Sequence, residues 1–271
     1  MGNVHPNVGG TTTTAVAPPM TDRVDSATDE TSLRVAIIVP AFNEERAVAD
    51  VIRSISSDLH DATAIVIDDG SHDATSRVAR SAGARVARLP FNSGIGAAVQ
   101  TGFQIAHDEG FDVAVQVDGD GQHPPNEVRR LLDEMATTGA NYVIGSRFAD
   151  ESDDYRASLA RRGGIAIFSR LVSWLIRQRI TDTTSGLRAA DRQAIALFAA
   201  HYPHDYPEVE AIVLVHRAGL TIREIPVQMN QRQAGRSSIT PLRSAYYMVK
   251  VSLAVLIQFI GRTPPRDEAT S

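Results

Sequence analysis

The chain of 271 residues has no cysteine and a single lysine, Lys250. Without thiols it can form no disulfide, no zinc–thiolate site and no cysteine nucleophile, which suits a reducing compartment. With its only lysine so far along the chain, it has no Gly-Lys-Ser/Thr phosphate loop. Gly94-Ile95-Gly96 lacks the third glycine of a dinucleotide fingerprint, which falls at Val99. NAD-dependent and ATP-hydrolysing chemistries therefore have little support. A membrane-crossing helix needs about 20 apolar residues. The best candidate, Val251 to Ile260, is shorter and carries Ser252 and Gln258. Residues 1–32 show neither the basic start nor the apolar core of a signal peptide. Rich in Thr, Ala, Pro, Asp and Val without periodicity, they read as a disordered leader, and residues 261–271 as a disordered tail.

What is present is an ordinary globular composition, 43% hydrophobic and 6% aromatic. The length suffices for one large α/β domain, or a domain with an appendage. The net charge of −5 conceals a division. Residues 1–154 carry 11 Lys or Arg against 24 Asp or Glu, whereas residues 155–262 carry 15 against 6. An acidic half that could hold a metal is joined to a basic half that could face phosphates or an anionic membrane. Ordinary soluble Arg-rich helices are the plainer explanation.

The first half alternates regularly. Apolar β-rich runs at Leu33 to Val39, Ala64 to Ile67, Arg85 to Leu89, Val113 to Val117 and Tyr142 to Gly145 predict strands. Helices are predicted between them, at Glu45 to Ile55, Ala74 to Ala82, Gly96 to His107 and Pro124 to Met135. Such alternation implies βαβ units and an α/β fold, with a mostly parallel sheet flanked by helices. Ligands of such sheets bind beyond the carboxyl ends of the strands. There the sequence places Asn43-Glu44-Glu45, Asp68-Asp69, Asn92-Ser93-Gly94, Asp118 to Gln122 and Ser146-Arg147.

The stretch Asp118-Gly119-Asp120-Gly121-Gln122-His123 is the most informative of these. Two carboxylates one residue apart repel unless something positive lies between them. A divalent cation held by hard oxygen ligands, Mg²⁺ or Mn²⁺, is the usual answer. A solvated Asp/Gly turn is the alternative. His123, beside oxygen ligands, reads as structural.

In order along the chain, Val39-Pro40-Ala41-Phe42-Asn43-Glu44-Glu45, Ile67-Asp68-Asp69-Gly70-Ser71 and the Asp118/Asp120 pair closely resemble the family-2 glycosyltransferases of the Rossmann-like GT-A fold. Asn92-Ser93-Gly94-Ile95-Gly96, Gly145-Ser146-Arg147-Phe148, Thr184-Ser185-Gly186-Leu187-Arg188 and Arg232-Gln233-Ala234-Gly235-Arg236-Ser237-Ser238 look like one subgroup. It contains dolichyl-phosphate mannose synthase and the bacterial polyprenyl-phosphate sugar transferases. The resemblance runs from about Val35 to Ile239. It implies a GT-A domain over residues 33–240 and a metal-dependent, inverting transfer of a sugar from a nucleotide-diphosphate sugar to a polyprenyl phosphate. The expected setting is peripheral, at the cytoplasmic face of the membrane.

Each motif acquires a role from the resemblance. Pro40, Phe42 and Glu44 would grip base and ribose, as would Asp68 and Asp69, with Asp69 accepting hydrogen bonds from the base. Helix-start charge is the alternative for Asp69. Asp118, Gly119 and Asp120 would meet the donor diphosphate, with Asp118, Asp120 and Gln122 as metal ligands. Arg147, Arg232 and Arg236 would steady the donor diphosphate. Ser238 stands where the subgroup usually has lysine, so Arg236 would have to substitute. Arg161 and Arg162 would receive the acceptor phosphate, or simply open a solvated helix over Ile165 to Ile176. Asp182 would orient the acceptor, and Arg147 would act in catalysis. Glu210 could face the site, although a charge at a helix start explains it as well. Residues 241–260 predict an amphipathic helix, either interfacial through Tyr246-Tyr247, Arg243 and Lys250, or packed in core or dimer. No nucleic-acid partner is implied; a homo-oligomer or small membrane partner protein stays open. Two alternatives stand beside this reading: a saccharide acceptor, and a catalytically silent binder of sugar nucleotides.

Overall fold

A computed structural model describes residues 33–148 and 159–229 together with Leu253, and for residues 159–167 the backbone only. The leader, the tail, the 241–260 helix apart from Leu253, Arg232 and Arg236, and the side chains of Arg161 and Arg162 lie outside the described residues.

The predicted alternation is present. β1 (Val35–Ala41), α1 (Val48–Asp58), β2 (Ala62–Asp68), α2 (Thr75–Ser81), β3 (Arg85–Arg88), α3 (Ile95–Asp108), β4 (Val113–Gln116), α4 (Pro125–Thr138) and β5 (Tyr142–Ser146) follow in order. The chain continues through α5 (Leu159–Ile176), β6 (Arg188–Asp191), α6 (Arg192–Ala200), α7 (Pro207–Arg217) and β7 (Ile222–Pro226). α5 begins six residues before the predicted Ile165.

Seven strands form one sheet in the order β3-β2-β1-β4-β6-β5-β7. All pairings are parallel except those of β6, which runs antiparallel to both β4 and β5. Every residue of β1 is buried, as expected for a central strand covered on both faces. Its side chains alternate between two cores. Ala36 and Ile38 join Phe103, Phe198 and Ile212 on one face, while Val35, Ile37 and Val39 join Ile52, Val66 and Leu131 on the other. Burying each such Ile or Leu contributes about 1.5–3 kcal/mol.

The reversed strand positions the site. Because β6 is antiparallel, its first residue, Arg188, lies opposite Gln116 at the end of β4 and opposite Ile144 in β5. The loop that enters β6 therefore emerges at the edge where the parallel strands β1, β2, β4 and β5 end.

Candidate active site

At the ends of β1 and β2 two loops are laced together. The amide of Asn43 donates to Ser71 Oγ (2.9 Å), that of Glu44 to Thr75 Oγ1 (2.8 Å), and that of His72 to Asn43 Oδ1 (2.9 Å). Asn43 sits at φ 57°, a left-handed conformation that asparagine tolerates better than most residues. Phe42 is partly exposed, with the His72 ring edge-on at 6.2 Å.

Asp68 and Asp69 are both buried, and each has structural work. Asp68 accepts from the Ser71 amide (2.8 Å) and from Ser76 Oγ, with Arg88 Nε 3.8 Å away. Burial pushes its pKa up, but the Ser71 and Ser76 donors outweigh this and hold it below the usual carboxylate range. Asp68 is thus a loop anchor enclosed by protein donors. Expected to meet the nucleotide, Asp68 is 1% exposed, and Asp69 beside it is 4% exposed. Asp69 accepts from the amides of Ser93 (2.7 Å) and Gly94 (2.9 Å), tying β2 to the loop before α3. Between them, Gly70 has φ 72°, and a side chain there would meet the Phe91 backbone at 2.6 Å.

The Asp118 turn follows β4. The Asp118 amide donates to His123 Nδ1 (3.1 Å), leaving the other ring nitrogen, 3.9 Å from Asp118 Oδ2, to carry the proton. His123 is buried and orients Asp118, the structural role expected of it. Asp118 is more than a third exposed and Asp120 is buried. Asp120 accepts from both the amide and the side-chain amide of Gln122. Asp118, Asp120 and Gln122 present oxygen donors only, a set matching a hard divalent cation that completes its shell with phosphate and water. Among the described residues no three His, Asp or Glu side chains cluster as a self-sufficient metal cage.

The loop before β6 closes over this turn. A Cβ added to Gly186 would lie 2.6 Å from Asp118 Cγ, so any larger residue there would push the Asp118 carboxylate aside. In the same loop, Asp182 accepts from Arg147 Nε (2.7 Å), Arg147 Nη2 (2.9 Å) and the Arg147 amide (3.2 Å). Arg147 Nη2 also donates to Thr184 Oγ1 at 2.7 Å. Burial alone would raise the Asp182 pKa; the hydrogen bonds and charge of Arg147 reverse this and hold it ionised below its ordinary range. The Asp182 side chain is 0% exposed. Expected to orient the acceptor, Asp182 turns its carboxylate to Arg147 in the structure. With both oxygens committed to Arg147 and Thr184, it acts by holding the Arg147 fork.

Three participants escaped the sequence reading. Glu224 of β7 accepts from the amides of Thr181 (2.8 Å) and Asp182 (2.7 Å), fixing the start of the loop. Arg188, fully buried, donates to the carbonyls of Thr183 (3.0 Å), Ser185 (2.7 Å) and Glu208 (2.6 Å) and to Tyr142 Oη (3.0 Å). It thereby clamps the loop to the N-terminus of α7. Glu208 has its pKa raised by burial, with Arg188 opposing and the negative Asp118 adding to the rise. Glu208 therefore feels the carboxylate turn, while Glu210 accepts from the Tyr206 amide (3.1 Å) in a helix-start role. No sequence signal separates Glu208 from Glu210; both open the same helix. Thr183 Oγ1 is the one buried side-chain polar atom without a hydrogen-bond partner among the described residues.

The carboxyl edge of this mostly parallel sheet thus gathers a carboxylate turn, two laced loops and a buried arginine. Residues 36–213 match the model of glycosyl transferase family 2. The chain belongs to that family and is a glycosyltransferase. Dolichyl-phosphate hexose transferase of Haloferax volcanii is 30% identical over 231 residues, covering 83% of this chain and 94% of the relative. Polyprenol monophosphomannose synthase of Mycolicibacterium smegmatis is 28% identical over 238 residues, covering 84% and 89%. Glucosyl-3-phosphoglycerate synthase of Mycobacterium tuberculosis, solved with Mn²⁺, UDP and phosphoglyceric acid, superposes with a TM-score of 0.64 at 24% identity over 87% of this chain and 81% of that one. The likeness extends to the GT-A fold.

Proposed function

We propose that this glycosyltransferase moves a sugar from a nucleotide-diphosphate sugar to a polyprenyl phosphate, at the cytoplasmic face of the membrane. The observation that carries the reading is the contact of Asp118 with Gly186. It brings the carboxylate turn, suited to a metal-bound diphosphate, against the loop that holds Arg147. Two relatives, one named for dolichyl phosphate and one for polyprenol monophosphomannose, both covered over most of their length, support the acceptor class.

The nucleotide lies across the ends of β1 and β2, where Pro40, Phe42, Glu44 and Asp69 meet base and ribose. An ionised carboxylate has about four acceptor sites, so Asp69 keeps capacity for a base donor beside Ser93 and Gly94. Asp118, Asp120 and Gln122 would hold Mg²⁺ or Mn²⁺, which when bound neutralises charge on the donor diphosphate. Arg147, locked by Asp182 and Thr184, presents preorganised positive charge toward the leaving diphosphate. A phosphate oxygen of the acceptor attacks the anomeric carbon in line, its bond to the diphosphate breaks, and the configuration inverts. The acceptor is already anionic at neutral pH, so no general base is required, in keeping with an Asp182 that is fully enclosed. Arg161, Arg162, Arg232 and Arg236 are assigned to the two phosphates on the resemblance alone.

The test is the product. Sugar label from the nucleotide donor should enter the organic phase when polyprenyl phosphate is supplied. Label that stays in water on a saccharide would favour the saccharide acceptor.

A further inference from the structure

We propose that Glu224 is a positioning residue for the transfer: from the edge strand β7 it fixes the backbone of Asp182, and through Asp182 it aims Arg147 at the leaving diphosphate. The inference rests on the role proposed for Arg147. β7 runs parallel to β5, with Glu224 opposite Ile144 and Pro226 opposite Ser146. Glu224 therefore stands beside the end of the strand that leads into Arg147. Its carboxylate accepts from the Thr181 amide through both oxygens (2.9 and 2.8 Å) and from the Asp182 amide through one of them (2.7 Å). The Asp182 carboxylate in turn accepts from Arg147 Nε and Nη2 at 2.7 and 2.9 Å. Asp182 is thus held by its amide from β7 and by its carboxylate from the residue that follows β5. A shift of its backbone moves the carboxylate that orients Arg147.

The residue before it is fixed on every polar group. The Thr181 amide is held by Glu224, its hydroxyl lies 2.8 Å from Ser146 Oγ, and its carbonyl accepts from Ser169 Oγ of α5 at 2.8 Å. The chain therefore enters Asp182 from a rigid base, and the bond from the Asp182 amide to Glu224 sets the next step.

The choice of residue type is costly. Burial pushes the Glu224 pKa up, the amides of Asp182 and Thr181 oppose this, and the negative charge of Asp182 adds to the rise. Glu224 forms no ion pair among the described residues. A half-buried carboxylate beside a second carboxylate, without a cation of its own, opposes folding unless its hydrogen bonds offset the cost. A loop start could be capped without that charge. Glutamine, however, has one acceptor oxygen, and its NH₂ would face an amide donor, so these bonds to two successive amides require the carboxylate.

The test compares variants in transfer from the nucleotide-diphosphate sugar to polyprenyl phosphate. Glu224→Gln keeps the size of the side chain and should fold. Its kcat should fall by about tenfold or more, because Arg147 acts on charge that develops in the transition state. The donor KM should stay within about twofold of wild type. Glu224→Asp keeps the charge but falls short of the amides, and should show the same division between kcat and KM. Glu224→Gln added to Asp182→Asn should lower kcat no further than Asp182→Asn alone, since both act through one arginine. Losses that multiply would show Glu224 acting apart from Asp182 and overturn the proposal. So would native kcat per folded molecule in both Glu224 variants, or a rise in donor KM alone. In protein carrying isotopically labelled arginine, the Arg147 Nε proton should exchange with solvent at least about tenfold faster in Glu224→Gln than in wild type. Unchanged exchange would also overturn the proposal. This last measurement needs no acceptor, so failure of the wild type to glycosylate polyprenyl phosphate would strike the acceptor reading and leave the Glu224 result standing.

Discussion

Asp118 and Gly186 lie in direct contact across the site: a Cβ on Gly186 would approach Asp118 Cγ to 2.6 Å. The antiparallel course of β6 sets its entry loop against the end of β4, and the absence of a side chain lets the carboxylate lie against the backbone. Gly186→Ala should fold, because the short Asp118 side chain can rotate away. Its carboxylate would then be displaced, and a shift of about 1 Å costs on the order of 10²-fold in rate. The expected variant has a near-native melting temperature, far lower kcat and a higher divalent-metal requirement. Native kcat would refute the contact.

Arg147→Ala should be costly for both fold and activity. It leaves the fully buried Asp182 uncompensated, a defect of about 3–5 kcal/mol. Arg147→Lys keeps the charge but not the two-pronged bond to Asp182, so it should recover little activity. Because Arg147 holds the Asp182 pKa below its unfolded value, this stabilisation is complete above the unfolded pKa and is lost as pH falls through the folded one. Denaturant titration of wild type and Asp182→Asn should show their stabilities converging as the solution is acidified.

Glu208 gives the opposite sign. Burial raises its pKa above the ordinary carboxylate value of 4.5 despite Arg188, so its contribution is fully present at lower pH and fades as pH rises through the raised value. Glu208→Gln removes that titration. The melting temperature of Glu208→Gln relative to wild type should therefore improve as pH increases from the unfolded pKa through the folded one. A difference independent of pH would contradict the burial of the Glu208 carboxyl.

Glu44→Ala and Asp69→Ala separate binding from scaffolding. Removing a charged hydrogen-bond partner costs about 1–3 kcal/mol, and both variants should lose roughly that in nucleotide-diphosphate affinity by calorimetry. Asp69→Ala should also lower the melting temperature, since it frees the amides of Ser93 and Gly94.

The parallel half of the fold was legible because buried strands and amphipathic helices write different periods into the sequence. Val35–Ala41 and Val113–Gln116 are apolar throughout, and Val48, Val51, Ile52 and Ile55 mark one face of α1. β6 was not legible: Arg188-Ala189-Ala190-Asp191 is short, lacks β-branched residues, and is a strand because β4 and β5 flank it. The same limit governed the site. Asp118 and Arg147 stood out by position at strand ends. The enclosure of Asp182, the clamp of Arg188 and the cap from Glu224 depend on packing between segments far apart in the chain. The motif Thr184 to Arg188 was visible as a pattern, but the steric reason for Gly186 exists only in three dimensions.

The most direct test supplies labelled nucleotide-diphosphate sugars, polyprenyl phosphate and Mg²⁺ or Mn²⁺ to the full-length protein and counts label in the organic phase. Transfer should occur with one donor, stop when chelator removes the metal, and fall to near background in Asp118→Ala, whose partly exposed carboxylate adds little to the core. Organic-phase transfer that persists in chelator or in Asp118→Ala would contradict the account, as would label appearing only on a water-soluble saccharide.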